Sequence, residues 1–133
     1  MIKQGYEDLT KINLLDFSKK SVLIIGSGYI AREYVIALLK LKVKDITILG
    51  KSEKNLKKFK EFSNVKIICG GYEKNLSKIK KKDLVIITTP IEKLMDAAIK
   101  VIENGHDRIL IEKPGSIFKN DLIELEQLIK KQK

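Results

Sequence analysis

The stretch SVLIIGSGYIA, residues 21–31, decides the fold of this chain. An apolar run without interruption ends in two closely spaced glycines, and a pattern with helical spacing begins immediately after them. A run that is apolar at every position is typical of a strand buried on both faces, as in parallel sheets. The stretch therefore predicts a strand, a tight turn and a helix, which together begin an α/β fold.

Further apolar runs follow at intervals that leave room for helices, namely DITILG (45–50), VKIICG (65–70), DLVIITT (83–89) and RILIEK (108–113). The segments between them carry helical spacing, for example at Leu94, Ala98 and Val101. A last helix is expected over residues 119–131. This alternation predicts a doubly wound, mainly parallel sheet with helices on both faces, a single Rossmann-type domain over residues 21–133.

Residues 1–20 fall outside the alternation. Their apolar residues, from Tyr6 to Phe17, are spaced so that they could line one face of an amphipathic helix. We therefore interpret the segment as an N-terminal extension that could pack on the sheet edge or on a partner.

Composition excludes several classes of function. The chain has 133 residues with a net charge of +10, but lysine supplies nearly all of its basic residues and tryptophan is absent, so we expect no nucleic-acid binding. No apolar run approaches the length of a membrane span and no signal sequence is evident, which predicts no membrane association and a cytoplasmic location. One histidine and one cysteine predict no metal site.

The turn after the first strand, GSGYIA, matches the G-x-G-x-x-A form of the dinucleotide-binding fingerprint. In that motif Gly26 permits the turn, Gly28 lets the backbone approach a pyrophosphate, and Ala31 lets the helix pack closely on the strand. An ordinary strand–turn–helix is the alternative, but the flanking strand and helix favour binding of a dinucleotide cofactor. The cofactor-binding residues predicted from this loop are Gly26, Ser27, Gly28, Tyr29, Ile30 and Ala31.

The end of the second strand bears on which dinucleotide is bound. An NAD site carries Asp or Glu about 20 residues after the glycines, on the ribose 2′-hydroxyl. Here Gly50 stands at that place, followed by Lys51 and Ser52, whose ammonium and hydroxyl could bind a 2′-phosphate. We therefore expect NADP(H) to be favoured over NAD(H). The alternative is that Ser52 only caps the next helix and Lys51 is a surface lysine.

Polar residues also end the fourth and fifth strands. Thr88-Thr89-Pro90 closes the fourth strand, and Glu112-Lys113-Pro114 closes the fifth. The carboxyl ends of parallel strands share one edge of the sheet, where doubly wound folds bind their ligands. Both segments are thus predicted to bind the cofactor, with Glu112-Lys113-Pro114 beside its nicotinamide half.

The order VLIIGSGYIA, DLVIITTP, ILIEKPGS resembles the nucleotide-binding half of the Gfo/Idh/MocA oxidoreductases over about residues 21–131. The resemblance implies an NAD(P)-binding Rossmann fold and hydride transfer to or from a sugar-like or other small hydroxyl or carbonyl compound. It also implies that Lys113 is the catalytic residue, reaching the nicotinamide ribose and the substrate oxygen. Thr89 and Pro90 correspond to the segment that lines the cofactor.

The sequence departs from the family in three respects, of which one is that GHDRILIEKP (105–114) is a residue longer than the usual spacing between glycine and Glu-Lys-Pro. Leu94 stands where a histidine usually follows the threonine–proline segment, and the chain does not continue into the family's second, substrate-binding domain. We therefore expect a small-molecule substrate to be held by a missing or partner domain, and the chain alone to be inactive. His106 precedes the fifth strand and is expected to be an exposed loop residue, while Cys69 is expected to be a packed thiol.

Two other interpretations stay open. A Rossmann domain of this length could be a standalone nucleotide sensor that regulates a partner protein, although such modules usually keep an acid after the second strand and lack the Glu-Lys-Pro segment. An exposed sheet edge would also favour self-association into a homo-oligomer.

Overall fold

The computed structural model describes residues 16–132. Its sheet contains β1 (Ser21–Ile25), β2 (Asp45–Gly50), β3 (Val65–Cys69), β4 (Leu84–Ile87) and β5 (Ile109–Ile111). All neighbouring strands pair in parallel, in the order β3-β2-β1-β4-β5. The direction of winding reverses between β1 and β4, which is where such sheets open a crevice. The predicted doubly wound fold is confirmed.

Within residues 16–132, five α-helices connect or follow the strands: α1 (Tyr29–Lys40), α2 (Glu53–Leu56), α3 (Tyr72–Asn75), α4 (Ile91–Glu103) and α5 (Lys119–Lys131). The three long helices match the segments with the clearest helical spacing. α2 and α3 are single turns that continue as 3₁₀ segments, Lys57–Glu61 and Leu76–Lys78. A spacing pattern over so few residues does not distinguish the two helical forms.

The sheet separates two layers of apolar packing, and β1 contributes to both. Val22 and Ile24 pack with Ala31 of α1 on one face, whereas Leu23 and Ile25 pack on the other face with residues of α4 and α5. Successive side chains of a strand point to opposite faces, so a run that is apolar at every position supplies both layers. Each fully buried aliphatic side chain of this kind stabilises the fold by about 2 kcal/mol.

The edge strands β3 and β5 are less buried than the three central strands. Cys69, at the end of β3, is exposed, so the prediction of a packed thiol is wrong. Its thiol donates a weak hydrogen bond to the Lys51 carbonyl at 3.6 Å. The prediction assumed burial on both faces, which the end of an edge strand does not provide.

The predicted N-terminal extension lies mostly outside the described residues. Of its last residues, 16–20 lead into β1 through a turn, in which the Lys20 N–H donates to the Phe17 carbonyl at 3.0 Å. Phe17 packs against the same layer as α1. Within residues 16–132 no helix is both long and apolar enough to cross a membrane.

Candidate functional site

A cleft of about 560 Å³ opens at the carboxyl ends of β1, β2 and β4. It is lined by these residues of the predicted site: Gly26, Ser27, Gly28, Lys51, Ser52, Thr88, Thr89 and Pro90. The remaining predicted residues lie outside its lining: Tyr29, Ile30 and Ala31 in the first turn of α1, and Glu112, Lys113 and Pro114 after β5. The structure thus brings together three strand ends distant in sequence.

Gly26 lies where β1 and β4 approach most closely. Its φ angle is +120°, a conformation that side chains disfavour. A Cβ atom here would overlap the Thr88 side chain and stand 2.8 Å from the Thr88 carbonyl carbon. Glycine is therefore required by the fold itself, since no other residue lets the two strand ends come together.

Gly28 differs, because nothing lies within 4 Å of the place where its Cβ would stand. It is the N-cap of α1, which has no side-chain cap and no acidic residue in its first turn. The free N–H groups and the dipole of that turn favour an anion. Ala31 is fully buried against the sheet, as the motif predicts, whereas Tyr29 and Ile30 are exposed on the outer side of the same turn.

At the end of β2, Gly50 is tightly enclosed. A Cβ there would stand 2.8 Å from both Ser27 and Leu56 side-chain atoms, so no side chain fits. Ser52 caps α2 by accepting a hydrogen bond from the Asn55 N–H at 3.3 Å, as the alternative interpretation of this residue expected. Lys51 and Ser52 nevertheless line the cleft, so capping and contact with a ligand are compatible.

The loop after β3 also reaches the cleft, which the sequence did not reveal. The N–H groups of Gly70 and Gly71 both donate to the Gly50 carbonyl at 3.0 Å, so this loop is fastened to the end of β2. Tyr72 and Glu73 thereby join the lining. The glycine pair after the third strand was the available signal, because both glycines have positive φ.

Tyr72 lines the cleft and forms a hydrogen bond with a residue of α4. Its hydroxyl donates to the Asp96 carboxylate at 2.6 Å. Burial and this hydrogen bond raise the pKa of Tyr72, while hydrogen bonds from Tyr72 and Lys100 lower the pKa of Asp96. The phenol therefore stays neutral and the carboxylate stays charged at neutral pH. Their hydrogen bond holds Tyr72, which lines the cleft, against α4.

The end of β4 supplies the opposite wall. The Thr88 N–H and hydroxyl both donate to the Ile25 carbonyl, at 2.8 and 3.1 Å, and join β4 to β1. The Thr89 hydroxyl is buried and has no hydrogen-bond partner among residues 16–132. Pro90 is the N-cap of α4, and Glu92 and Lys93 in the first turn of that helix also line the cleft. A buried hydroxyl without a partner is costly, so Thr89 is suited to bind a ligand.

The end of β5 lies beside that wall. The Glu112 N–H donates to the Ile87 carbonyl at 3.0 Å, directly before the threonines. The Glu112 carboxylate accepts a hydrogen bond of 2.6 Å from the Tyr34 hydroxyl of α1, and this bond raises the pKa of Tyr34 to about 12. Lys113 is exposed and makes no hydrogen bond or ion pair within the described part of the chain. Sequence patterns gave no sign of the contact with Tyr34.

His106 lies at the other end of the sheet, before β5, as expected from its position in sequence. The prediction of an exposed residue is wrong, because only 1% of its surface is exposed. Its Nδ1 accepts a long hydrogen bond from the Lys82 N–H at 3.3 Å. Burial lowers the pKa of His106, so the neutral ring is favoured there.

Comparison with known proteins is consistent with this geometry. The model of the oxidoreductase family with an NAD-binding Rossmann fold, Gfo/Idh/MocA, matches residues 20–133. The shikimate dehydrogenase (NADP(+)) of Prochlorococcus marinus is 34% identical over 87 residues, which are 62% of this chain and 30% of that protein.

Two solved structures share the fold. Biliverdin reductase of Synechocystis, in complex with biliverdin and NADP+, has a TM-score of 0.72 and 23% identity over 84% of this chain and 35% of its own. The WlbA dehydrogenase of Bordetella pertussis, in complex with NADH and UDP-GlcNAcA, has a TM-score of 0.73 and 16% identity over 85% of this chain and 34% of its own.

The chain spans about a third of the length of these relatives. The family match covers nearly all described residues and includes the glycine loop, the cleft and the strand after which Glu112-Lys113-Pro114 follows. The chain therefore belongs to the Gfo/Idh/MocA oxidoreductase family and contains that family's Rossmann domain, which binds a nicotinamide dinucleotide, NAD(P).

Proposed function

We propose that the cleft binds NADP(H) in preference to NAD(H), and that the chain contains the cofactor-binding domain of an oxidoreductase acting on a small hydroxyl or carbonyl compound. The observation that carries the proposal is the position of the glycine loop at the reversal between β1 and β4, with the uncapped end of α1 facing the cleft. A pyrophosphate is the anion that this arrangement suits.

The residues present fit such a cofactor. Space is free beside Gly28, where a side chain would stand between the backbone and a pyrophosphate. The Thr89 hydroxyl has no partner within the described residues and lies in the wall formed by β4. A bound ligand that accepts or donates a hydrogen bond there would remove the cost of the unpaired hydroxyl.

The preference for NADP(H) is supported by the end of β2. Gly50 has no room for the carboxylate that holds an NAD ribose, and Lys51 brings a cation to the same rim. The complexes of similar proteins include both cofactors: the biliverdin reductase complex contains NADP+, and the WlbA complex contains NADH. The proposed preference therefore rests on Gly50 and Lys51. An ammonium beside a 2′-phosphate favours the phosphorylated cofactor.

Lys113 is the proposed catalytic residue. A bound nicotinamide supplies or accepts the hydride, and Lys113 hydrogen-bonds the substrate oxygen and moves a proton to or from it. Tyr34 holds Glu112 in place beside this lysine. The remaining contacts to the substrate are proposed to come from a second domain or a partner.

Titration calorimetry with NADPH and NADH tests the proposal on the purified chain. NADPH is expected to bind more tightly than NADH. Lys51→Glu is expected to weaken NADPH binding at least about tenfold, roughly 1.4 kcal/mol, with a much smaller effect on NADH. The matched control is Lys54→Glu, which makes the same charge change on α2 outside the cleft lining.

Two results would contradict the proposal in different ways. Failure of both nucleotides to bind at millimolar concentration would remove the cofactor site. Equal weakening of both nucleotides by Lys51→Glu would leave the site and remove its preference for the 2′-phosphate.

A further inference from the structure

The end of β2 lacks the acid that normally distinguishes the two nicotinamide dinucleotides, yet a carboxylate reaches the same rim from elsewhere. Gly50 cannot carry a side chain, because a Cβ there would stand 2.8 Å from Ser27 and Leu56 atoms. The acids that line the cleft are instead Glu73 and Glu92, which belong to α3 and α4. The only strand next to β2 on its outer side is β3, within the described sheet.

The loop after β3 is held rigidly against this corner. Two N–H groups, of Gly70 and Gly71, converge on the single carbonyl oxygen of Gly50, each at 3.0 Å. The Asn75 amide closes the loop by donating to the carbonyls of Cys69 and Gly71, at 3.2 and 3.0 Å. Loop residues therefore keep a fixed position relative to the end of β2.

Glu73, in the one-turn helix α3 that follows this loop, lines the cleft. The point where a Cβ of Gly71 would stand lies 2.7 Å from Glu73 Oε2 and 3.9 Å from Lys51 Cβ. The carboxylate thus folds back over the glycine, beside the lysine proposed to bind the 2′-phosphate. Within residues 16–132, neither Glu73 nor Lys51 forms an ion pair, so each charge is available to a ligand.

We propose that Glu73 is a specificity-determining residue, which hydrogen-bonds the adenosine ribose and takes the role of the missing acid at the end of β2. The inference rests on the proposed function of this cleft. Lys51 and Glu73 then act in opposite directions on the 2′ position. Lys51 attracts a phosphate, whereas Glu73 accepts hydrogen bonds from ribose hydroxyls and repels a phosphate.

The consequence is a site with a small preference for NADPH that still accepts NADH. The glycine at the end of β2 would otherwise leave the ribose hydroxyls of NADH without a carboxylate partner. Removing the negative charge of Glu73 should weaken NADH binding and strengthen NADPH binding. Removing the positive charge of Lys51 should weaken NADPH binding and strengthen NADH binding.

The experiment measures dissociation constants for NADPH and NADH by calorimetry, on the full chain and on variants. Glu73→Gln is expected to raise the preference for NADPH over NADH about tenfold, and Glu73→Lys to raise it further. Glu92→Gln is the matched control, since Glu92 lines the same cleft from α4 and its loss should change both affinities by the same factor. Glu73 is exposed, and thermal unfolding of each variant verifies that it folds.

The outcomes separate this inference from the proposal on which it depends. An unchanged or lowered preference in Glu73→Gln, with both nucleotides still binding, would overturn the role of Glu73 and leave the cofactor site intact. The same shift in Glu92→Gln would also overturn it, because the effect would then be general to negative charge in the cleft. Absence of binding by the unaltered chain would overturn both.

Discussion

Charged side chains at the two ends of the sheet differ in whether they form ion pairs. At the amino end, acids and lysines pair: Lys82 bonds both oxygens of Asp45 at 2.8 Å, and Lys81 contacts Asp107 at 2.7 Å. At the carboxyl end, within residues 16–132, no ion pair involves Lys51, Glu73, Glu92, Lys93 or Lys113. Paired charges stabilise the fold, whereas unpaired charges around a cleft are typical of a ligand-binding site.

The largest effect on stability is expected from replacing Gly26 by alanine, and the same replacement at Gly28 is the comparison. Gly26→Ala places a Cβ in a left-handed backbone and against Thr88, and should lower the free energy of unfolding by about 3 kcal/mol. Gly28→Ala meets no atom within 4 Å and should leave stability nearly unchanged. Urea denaturation of both variants measures the difference.

Nucleotide binding provides the complementary measurement for the same pair. Gly28→Ala should weaken NADPH binding about tenfold or more while the protein remains folded, because the added methyl group occupies the space beside the α1 terminus. A strongly destabilised Gly28→Ala would show that this glycine, like Gly26, serves the fold and not a ligand.

A smaller effect is expected from removing the hydrogen bond between Tyr34 and Glu112, the residue directly after β5. Tyr34→Phe removes the hydrogen bond of 2.6 Å to Glu112 and should lower the free energy of unfolding by about 1 kcal/mol. The folded pKa of Tyr34, about 12, exceeds its ordinary value of 10.0. The contribution is therefore complete below pH 10 and is lost as the pH rises through 12.

Denaturation of wild type and Tyr34→Phe at pH 8 and pH 11 measures this contribution. The difference in stability should be smaller at the higher pH, because at pH 11 the phenol ionises in the unfolded chain while it stays largely protonated in the folded protein. A difference that grows with pH would show that the hydroxyl does not donate to Glu112.

The smallest effects are expected at the amino end. Lys82→Met should lower stability by about 0.5 kcal/mol, because the Lys82 side chain is only 12% exposed and bonds both oxygens of Asp45. Lys81→Met should cause no measurable change, since its pair with Asp107 is largely exposed. Neither variant should alter affinity for NADPH, and a loss of affinity in either would contradict the separation of the two ends.

Sequence predicted the fold well because its signals are local. Each strand is a contiguous apolar run, and the glycine loop follows the first strand directly. The convergence of strand ends then follows from the geometry of parallel sheets. Gly26 and Gly28 could be predicted as a pair, but only the structure distinguishes a glycine required by Thr88 from one beside empty space.

The features that sequence did not predict depend on contacts between distant segments. Tyr34 and Glu112 are 78 residues apart, so no spacing rule connects them. Glu73 reaches the cleft only because β3 lies beside β2 and its loop bonds to Gly50. The errors at Cys69 and His106 have the same origin, since burial depends on neighbours that a local pattern does not contain.

The junction of β1 with β4 has a consequence for how the domain folds. Thr88 bonds to the Ile25 carbonyl, 63 residues earlier, so the two walls of the cleft come from opposite halves of the chain. Closing so long a loop is entropically costly, and the cleft exists only after both halves have joined. A nucleotide that contacts both walls binds the native state alone, and at a hundred times its dissociation constant it adds about 2.7 kcal/mol to global stability. NADPH should therefore slow hydrogen exchange throughout β1 and β4, far beyond the residues it touches.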